Sequence, residues 1–351
     1  MSHGSPRIGP DGQSVLVTGG AGYVGSHAVK ALVRAGCAVT VYDNLSAGHR
    51  EAVDAIAAST QTRVGLVEGD IRDTARVREA IRQSGATAVM HFAAWLSVGD
   101  SVRDPAGYYQ NNVSGTLSVL DAMRAERVGR FVFSSSAAVF GTPVQTPVAE
   151  DHPRAPINTY GETKLAIERG LPHYERAYGI RSVALRYFNA AGADPDGDLG
   201  EDHDPEIHII PLALAAAEGG RPLTVFGDDY STPDGTCLRD YVHVTDLAEA
   251  HVLALGALAS GGPSGSYNLG NGRPTSVREV IAAVERVTGT HVAWTVGARR
   301  DGDPAVLFAS SDKIRRELGW RPRFESIDTI VESAWRWHSR RPSGYRGQVR
   351  A

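Results

Sequence analysis

Thr18-Gly19-Gly20-Ala21-Gly22-Tyr23-Val24-Gly25 follows a short aliphatic run, Ser14–Val17, and opens a stretch with helical apolar spacing, Gly25–Ala35. Its glycines fit both G-x-x-G-x-x-G at 19, 22 and 25 and G-x-G-x-x-G at 20, 22 and 25. Between a strand and a helix, such a loop needs one glycine for the tight turn. A second lets the backbone approach a pyrophosphate, and a third lets the helix pack on the sheet. The helix start then offers unpaired amides to phosphate oxygens. Gly19, Gly22, Tyr23, Val24 and Gly25 are therefore candidate contacts of a bound dinucleotide.

Outward from the loop, strands and helices alternate. Ala38–Tyr42, Arg63–Glu68, Ala88–Phe92, Arg130–Ser134 and Ser182–Tyr187 read as strands; Ala75–Ser84, Val113–Glu126 and Tyr160–Tyr178 read as helices. Near-continuous apolar strands separated by helices predict a parallel sheet covered on both faces, an α/β doubly wound (Rossmann-type) fold over residues 13–188. After residue 188 the rhythm changes. Ala190–Pro205 is rich in Gly, Asp and Pro, and the later elements are short. The expectation is a smaller C-terminal α/β substrate domain built from 189–239 and 261–345. A strand and helix at about 240–260, Tyr241–His243 and Asp246–Leu258, are expected to return to the first lobe. Residues 1–12 read as a flexible tail without the apolar run of a signal peptide.

The second strand ends in Tyr42-Asp43-Asn44, with Asp43 18 residues beyond Gly25, where an acid accepts the adenosine ribose hydroxyls. A carboxylate there repels a 2′-phosphate and no Arg follows before Arg50, which points to NAD rather than NADP. The plain alternative is that Asp43 caps a loop. Asp70-Ile71 closes the third strand and is placed to flank the adenine; a turn carboxylate is the competing reading. Further on, Tyr160 and Lys164 share one helix face, and the fifth strand runs into Ser134-Ser135-Ser136. A phenol with pKa near 10 is a poor base at neutral pH, but a neighbouring ammonium and a pyridinium ring both favour phenolate. Tyr160 then takes a proton from a sugar hydroxyl while NAD⁺ takes the hydride from the same carbon, and Ser136 hydrogen-bonds that oxygen.

Composition narrows the field. At 351 residues the chain exceeds the ~250–300 at which one core stops growing, so two lobes are expected. With 36 Lys+Arg against 40 Asp+Glu, a formal charge of -4 makes no case for nucleic acid or an anionic membrane. The longest weakly polar stretches, Ile207–Ala217 and Val252–Ala259, fall short of the ~20 residues that span a bilayer. Two cysteines, Cys37 and Cys237, are too few for a disulfide framework or a structural zinc site, and read as free buried thiols of a cytoplasmic protein. The 12 histidines show no metal-ligand spacing. Asp194-Pro195-Asp196-Gly197-Asp198 lacks the terminal Glu and flanking helices of a calcium loop. No metal is expected.

More motifs join these: His91-Phe92-Ala93-Ala94, Asn111-Asn112-Val113-Ser114-Gly115-Thr116, Arg186-Tyr187-Phe188-Asn189, Gly200-Glu201-Asp202, Phe226-Gly227-Asp228-Asp229-Tyr230, Arg239-Asp240-Tyr241-Val242-His243-Val244, Tyr267-Asn268-Leu269-Gly270 and Arg299-Arg300-Asp301-Gly302-Asp303. Together they resemble the extended short-chain dehydrogenase/reductase superfamily and, within it, the UDP-glucose (UDP-galactose) 4-epimerase family, over roughly residues 14 to 345. The resemblance implies a tightly held NAD⁺, hydride removal at sugar C4, a 4-keto intermediate that turns about its diphosphate, and hydride return to the other face. It implies Ser136, Tyr160 and Lys164 as catalytic residues. Phe92, Ala93, Ala94, Asn112, Ser134, Ser135 and Tyr187 are implied as further cofactor contacts, beside Asn44, Asp70 and Ile71. For the UDP-sugar it implies Arg239 and Arg300 on the diphosphate, Asp303 on the uridine ribose, and Phe226 beside the uracil. Asn189 and His208 are implied as polar contacts, and Leu307 as a gate on sugar-pocket volume. A homodimer through helix faces in Asn112–Met123 and Ile167–Tyr178 is also implied.

The chain departs from the family at Trp95-Leu96-Ser97, where some members carry a cofactor-contacting Lys, and at Phe140, where Tyr is common. Dehydratases of the superfamily carry an Asp-Glu pair where this chain has Ala137 and Ala138, which cannot transfer protons. Remaining alternatives are 4-epimerases of UDP-N-acetylhexosamines, pentoses or uronates, and a catalytically silent NAD-binding sensor. An intact Ser136, Tyr160 and Lys164 set argues against the sensor.

Overall fold

The computed structural model describes residues 12–300 and 303–347, so almost all of the tail expected at 1–12 lies outside the described residues, as do Asp301 and Gly302. The strands are β1 (Ser14–Thr18), β2 (Ala38–Asp43), β3 (Gly65–Glu68), β4 (Ala88–His91), β5 (Arg130–Ser136), β6 (Arg181–Tyr187), β7 (Asn189–Ala191), β8 (Leu223–Phe226), β9 (Leu238–His243), β10 (Gly265–Leu269), β11 (Pro274–Ser276), β12 (Trp294–Gly297) and β13 (Val306–Leu307). The helices are α1 (Tyr23–Arg34), α2 (Arg50–Thr60), α3 (Thr74–Ser84), α4 (Val98–Arg103), α5 (Pro105–Tyr108), α6 (Gly115–Ala125), α7 (Thr159–Tyr178), α8 (Ile209–Ala217), α9 (Val244–Ala259), α10 (Val277–Thr288), α11 (Asp312–Glu317) and α12 (Ile327–Arg340).

Seven parallel strands form the large sheet in the order β10-β6-β5-β4-β1-β2-β3. Because successive side chains of a strand point to opposite faces, β1 serves two cores at once. Val15 and Val17 pack with Ala28, Val29 and Leu32 of α1, Ile56 of α2 and Leu247, Ala254 and Leu258 of α9. Leu16 packs with Val77 and Ile81 of α3, Leu120 and Met123 of α6 and Ile167 and Leu171 of α7. This is the doubly wound α/β sheet that the alternation predicts. Strand order reverses about β1, and the crevice at the carboxyl ends of β1 and β4 is where such sheets bind ligands.

The second lobe holds the β11-β9-β13 sheet, with β7 paired to β9, and the small β8–β12 pair. Helices α8, α10 and α12 close a third core around Ile210, Val284 and Ile330. Two expectations are corrected. Gly265–Leu269, assigned above to the substrate lobe, is the edge strand of the large sheet, paired in parallel with β6. The strand expected to return to the first lobe, β9, lies instead in the small sheet. Its helix, α9, packs on the large one, against α1. The physical reason is alternation: Tyr241 of β9 faces the small-lobe core and its neighbour Val242 faces the large-lobe core. One strand therefore belongs to both. Two elements also went unpredicted or shifted. Helix α2 follows the cofactor strand unannounced, and the long helix expected from Val113 begins at Gly115 after a π-turn over Tyr109–Ser114.

The C-terminal segment locks onto the large lobe through Trp320. Its side chain is 0% exposed and its indole N–H donates to the Asp246 carbonyl at 2.9 Å. The Asp246 carboxylate in turn accepts from the backbone amides of Arg323 and Phe324, each at 3.0 Å. Trp320→Ala is expected to lower unfolding free energy by about 3–5 kcal/mol, read from urea denaturation. A loss below 1 kcal/mol would show that this segment does not anchor the lobe.

Candidate active site

The glycine loop is built by exclusion of side chains. Gly19 sits at φ +73°, and a Cβ there would lie 2.4 Å from the Ala93 amide nitrogen. A Cβ on Gly25 would lie 2.1 Å from the Gly19 carbonyl oxygen. Gly22 has room, its nearest neighbour being 3.5 Å away, so its value is as the extended residue that starts α1. No side chain caps that start, and the first turn of α1 lines the cleft with Gly22, Tyr23 and Val24. Uncapped helix amides facing a cleft are an anion site.

Asp43 ends β2 and is 8% exposed. Its carboxylate accepts from the Ala21 amide at 3.0 Å and the Leu45 amide at 2.9 Å. Burial raises its pKa, and these two amides pull it back. It therefore pins the glycine loop and still lines the cleft, so the structural and ligand-facing readings coexist. Asn44, Ile71, Phe92, Ala93 and Ala94 also line it, with Trp95 and Leu96 at the departure noted above.

Two expected cofactor contacts are corrected. Asn112 does not reach the cleft: it is buried, accepts from the Trp95 amide at 2.8 Å and donates to the Trp95 carbonyl and Thr163. Its neighbour Asn111 lines the cleft instead, because successive residues of the π-turn project in different directions around its axis. Ser135 turns to the opposite side of β5 from Ser134 and Ser136 and donates to Glu168 at 2.6 Å. Asp70 is paired with Arg72 at 2.6 and 2.9 Å and lies between Gly69 and Ile71 of the cleft wall.

Ser134, Ser136, Tyr160, Lys164 and Tyr187 converge on the same cleft. Asn158 caps α7 by accepting from the Gly161 amide at 2.9 Å, which fixes Tyr160 in the first turn. Lys164 sits one turn later, its ammonium 2.8 Å from the Ser134 carbonyl and 5.8 Å from the Tyr160 ring centre. Ser134 and Tyr187 share a hydroxyl–hydroxyl hydrogen bond of 2.5 Å. Burial pushes Lys164 down to about 7, with Glu168 opposing. Burial also raises the Tyr160 phenol, and the adjacent Ser136 hydroxyl counteracts only part of this. The lysine alone therefore does not make a phenolate here. The further positive charge has to come from the ligand.

Across the cleft stand Phe188, Asn189, Ala190, Glu201, His203 and His208. His208 precedes α8, and burial works against its charge while Glu201 and Glu206 raise its pKa to about 10. The remaining expected substrate residues are not among those that line this cleft. Arg239 pairs with Asp303, and Arg300 stacks over Phe226 at 4.0 Å. Leu307 is the register partner of Arg239 and packs beside Phe140 and Leu165. Residues the sequence reading passed over are Asn111, Phe188, His203 and the Ser46-Ala47-Gly48 loop, all on the cleft wall.

The profile of the NAD dependent epimerase/dehydratase family matches residues 15–270. The chain belongs to this family, on its UDP-glucose 4-epimerase branch. A UDP-glucose 4-epimerase of Halalkalibacterium halodurans is 50% identical over 333 residues, covering 95% of this chain and 97% of that protein. The crystal structure of UDP-glucose 4-epimerase from Brucella ovis in complex with NAD is 51% identical. It superposes with a TM-score of 0.87 over 92% of this chain and 97% of that one. The Bifidobacterium longum enzyme, solved with NAD⁺ and UDP, is 38% identical with a TM-score of 0.90 over 95% and 100%. Among the described residues no helix is long and apolar enough to cross a membrane.

This electrostatic setting has a direct test in the cofactor-free family member. NMR titration of isotopically labelled lysine is expected to find Lys164 losing its proton near pH 7, protonated below and neutral above. A midpoint at the ordinary 10.5 would show that burial is not controlling it.

Proposed function

We propose that the chain interconverts UDP-galactose and UDP-glucose by redox-neutral epimerisation at C4, through a transient 4-keto sugar, with NAD held throughout. The observation that carries this reading is a single cleft shared by the glycine loop and by Ser136, Tyr160 and Lys164. The residues fit the cofactor: a Cβ on Gly19 or Gly25 would fill the loop, and the α1 amides are uncapped. In this assignment Gly19 to Gly25 hold the pyrophosphate, Asp43 and Asn44 the adenosine ribose, and Ile71 and Phe92 flank the adenine. When bound, NAD⁺ supplies a hydride acceptor that gives the same hydride back.

The chain's own residues do the rest. Tyr160, as phenolate, takes the proton of the C4 hydroxyl and later returns it. Ser136 donates to the same oxygen and stabilises its developing negative charge. Lys164 and the cofactor's positive charge hold Tyr160 ionised by the opposite-charge rule. Arg239, Arg300 and Asp303 hold the diphosphate and ribose. Arg239 must leave Asp303 to do so, and a guanidinium fork suits phosphate oxygens. Asn189 and His208 complete the grip, and Leu307 borders the sugar. The reading further divides the chain, with the large-sheet lobe holding NAD and the smaller lobe the UDP-sugar. It also includes a cytoplasmic homodimer, supported by both cysteines being free and by exposed Leu117 and Tyr178 on α6 and α7.

Purified protein given UDP-galactose without added NAD is expected to form UDP-glucose with no accumulation of NADH. No conversion, even after NAD⁺ is supplied, would overturn the assignment. Tyr160→Phe is expected to lose ~10²–10⁴ in turnover while retaining NAD, read by single-turnover assay and cofactor extraction. A variant running at the parent rate would remove Tyr160 from the proton-transfer role.

A further inference from the structure

Two clusters of metal-type side chains lie on the segment between β7 and α8, and their states differ. Asp194, Asp196 and Asp198 surround the ammonium of Lys30 at 2.8, 3.0 and 2.6 Å. That cluster already has its cation, which is why the acidic loop needs no calcium. Glu201, His203, Glu206 and His208 have no Lys or Arg among them. The His203 Nδ1 lies 3.4 Å from Glu201 Oε1 and 3.6 Å from Glu206 Oε2. The His208 Nδ1 lies 2.9 Å from Glu201 Oε1 and 3.1 Å from Glu206 Oε1.

Aligned hydrogen bonds account for only part of this convergence. Glu206 Oε1 is well used, accepting from the Ile207 and His208 amides and partnering His208 Nδ1. Glu201 Oε1 and His203 Nδ1 are buried with no aligned partner, although the Glu201 side chain is only 7% exposed. A buried carboxylate oxygen held only by imidazole nitrogens out of hydrogen-bond alignment is costly. The spacing suggests what satisfies it. Bonds of ~2.0–2.2 Å to a tetrahedral ion place neighbouring ligand atoms about 3.3–3.5 Å apart. The nitrogen–oxygen separations of 2.9–3.6 Å, from the two Nδ1 atoms to Glu201 Oε1 and to one or the other oxygen of Glu206, bracket that edge.

We propose that Glu201, His203, Glu206 and His208 bind one divalent transition-metal ion of the zinc class. Two imidazoles and two carboxylates are ligands such ions accept, and the carboxylates neutralise the double positive charge. Four protein ligands leave no open position, so the ion is structural. It ties the loop entering α8 to the start of α1, where the His203 ring meets the Tyr23 ring edge-on at 6.1 Å and the Tyr23 hydroxyl donates to the Gly192 carbonyl. Metallation at Nδ1 leaves His208 with an Nε2–H donor for the cleft. The sequence expectation of no metal rests on the absence of metal-ligand spacing among the histidines, and the convergence of these four residues on an irregular loop is not announced by any such spacing.

The test uses the untagged full-length protein, dialysed against chelator and titrated with Co²⁺. One equivalent is expected to give the intense visible absorption of tetrahedral Co²⁺. Zn²⁺ is expected to bleach that absorption and raise the melting temperature. His203→Ala and Glu206→Gln should each weaken binding by at least ~100-fold, more than loss of an outer-shell partner costs. Asp196→Asn, in the neighbouring cluster, should leave it unchanged. The proposal fails if wild-type protein binds Co²⁺ only at millimolar concentration or with a weak octahedral spectrum. It also fails if the double variant His203→Ala/Glu206→Gln keeps wild-type affinity. Where a variant does not fold, the wild-type spectrum and stoichiometry decide.

Discussion

The backbone of Gly19 lies against the backbone of Ala93, at the carboxyl ends of adjacent strands β1 and β4. Everything in the cleft is measured from that contact. It brings the loop low enough for the first turn of α1 to open onto the crevice, and Gly25 permits the same turn to close over the Gly19 carbonyl. Asp43, from the next strand, then pins the loop from the far side through the Ala21 amide. The constraint is steric, with no attractive term that another residue could replace. Any side chain at either glycine would have to displace main chain, which cannot yield as the end of a flexible side chain can.

The opposite wall is governed by desolvation. Lys164 is buried and donates to the Ser134 carbonyl, with no carboxylate paired to it. Its nearest acid influence, Glu168, is committed to Ser135 and Arg186. Burial lowers the lysine to about 7 and raises the tyrosine, so the phenol favours its neutral form before a ligand arrives. A cationic ring in the cleft changes the balance at Tyr160, because a phenolate then lies between positive charges in a low-dielectric site. Acid–base readiness in the proposed mechanism is thus conditional on cofactor. That suits the proposed redox-neutral cycle on a resident cofactor.

The large sheet was legible because β1, β4 and β5 are buried on both faces and read as unbroken apolar runs. The catalytic trio was legible because its spacing rests on one helix and one strand end. What failed did so for local geometric reasons. Asn111 and Asn112 are chemically identical neighbours, and only the turn of the helix decides which one meets the cleft. In the serine triplet, strand alternation sends the middle residue to Glu168, a rule that was available but went unapplied. β10 was missed because Gly265 to Leu269 is short and half polar. Its place beside β6 depends on where α9 delivers the chain.

The lobes are not hinged on a loop. β9 contributes Tyr241 to one core and Val242 to the other, so the two move together unless that strand breaks. On the same strand Arg239 has Leu307 as its register partner, which sets the proposed diphosphate anchor and the proposed sugar gate about 4.8 Å apart across one sheet. The two positions have opposite chemistry. The anchor is an arginine with a displaceable carboxylate partner. The gate belongs to an apolar group with Val139, Phe140, Leu165 and Phe188, which offers no side-chain hydrogen bond. A firm hold at the phosphate and an unbonded wall at the sugar allow a keto sugar to turn about its diphosphate without crossing a polar barrier. Because both are built on a strand shared by two cores, that contrast stays fixed while the sugar turns.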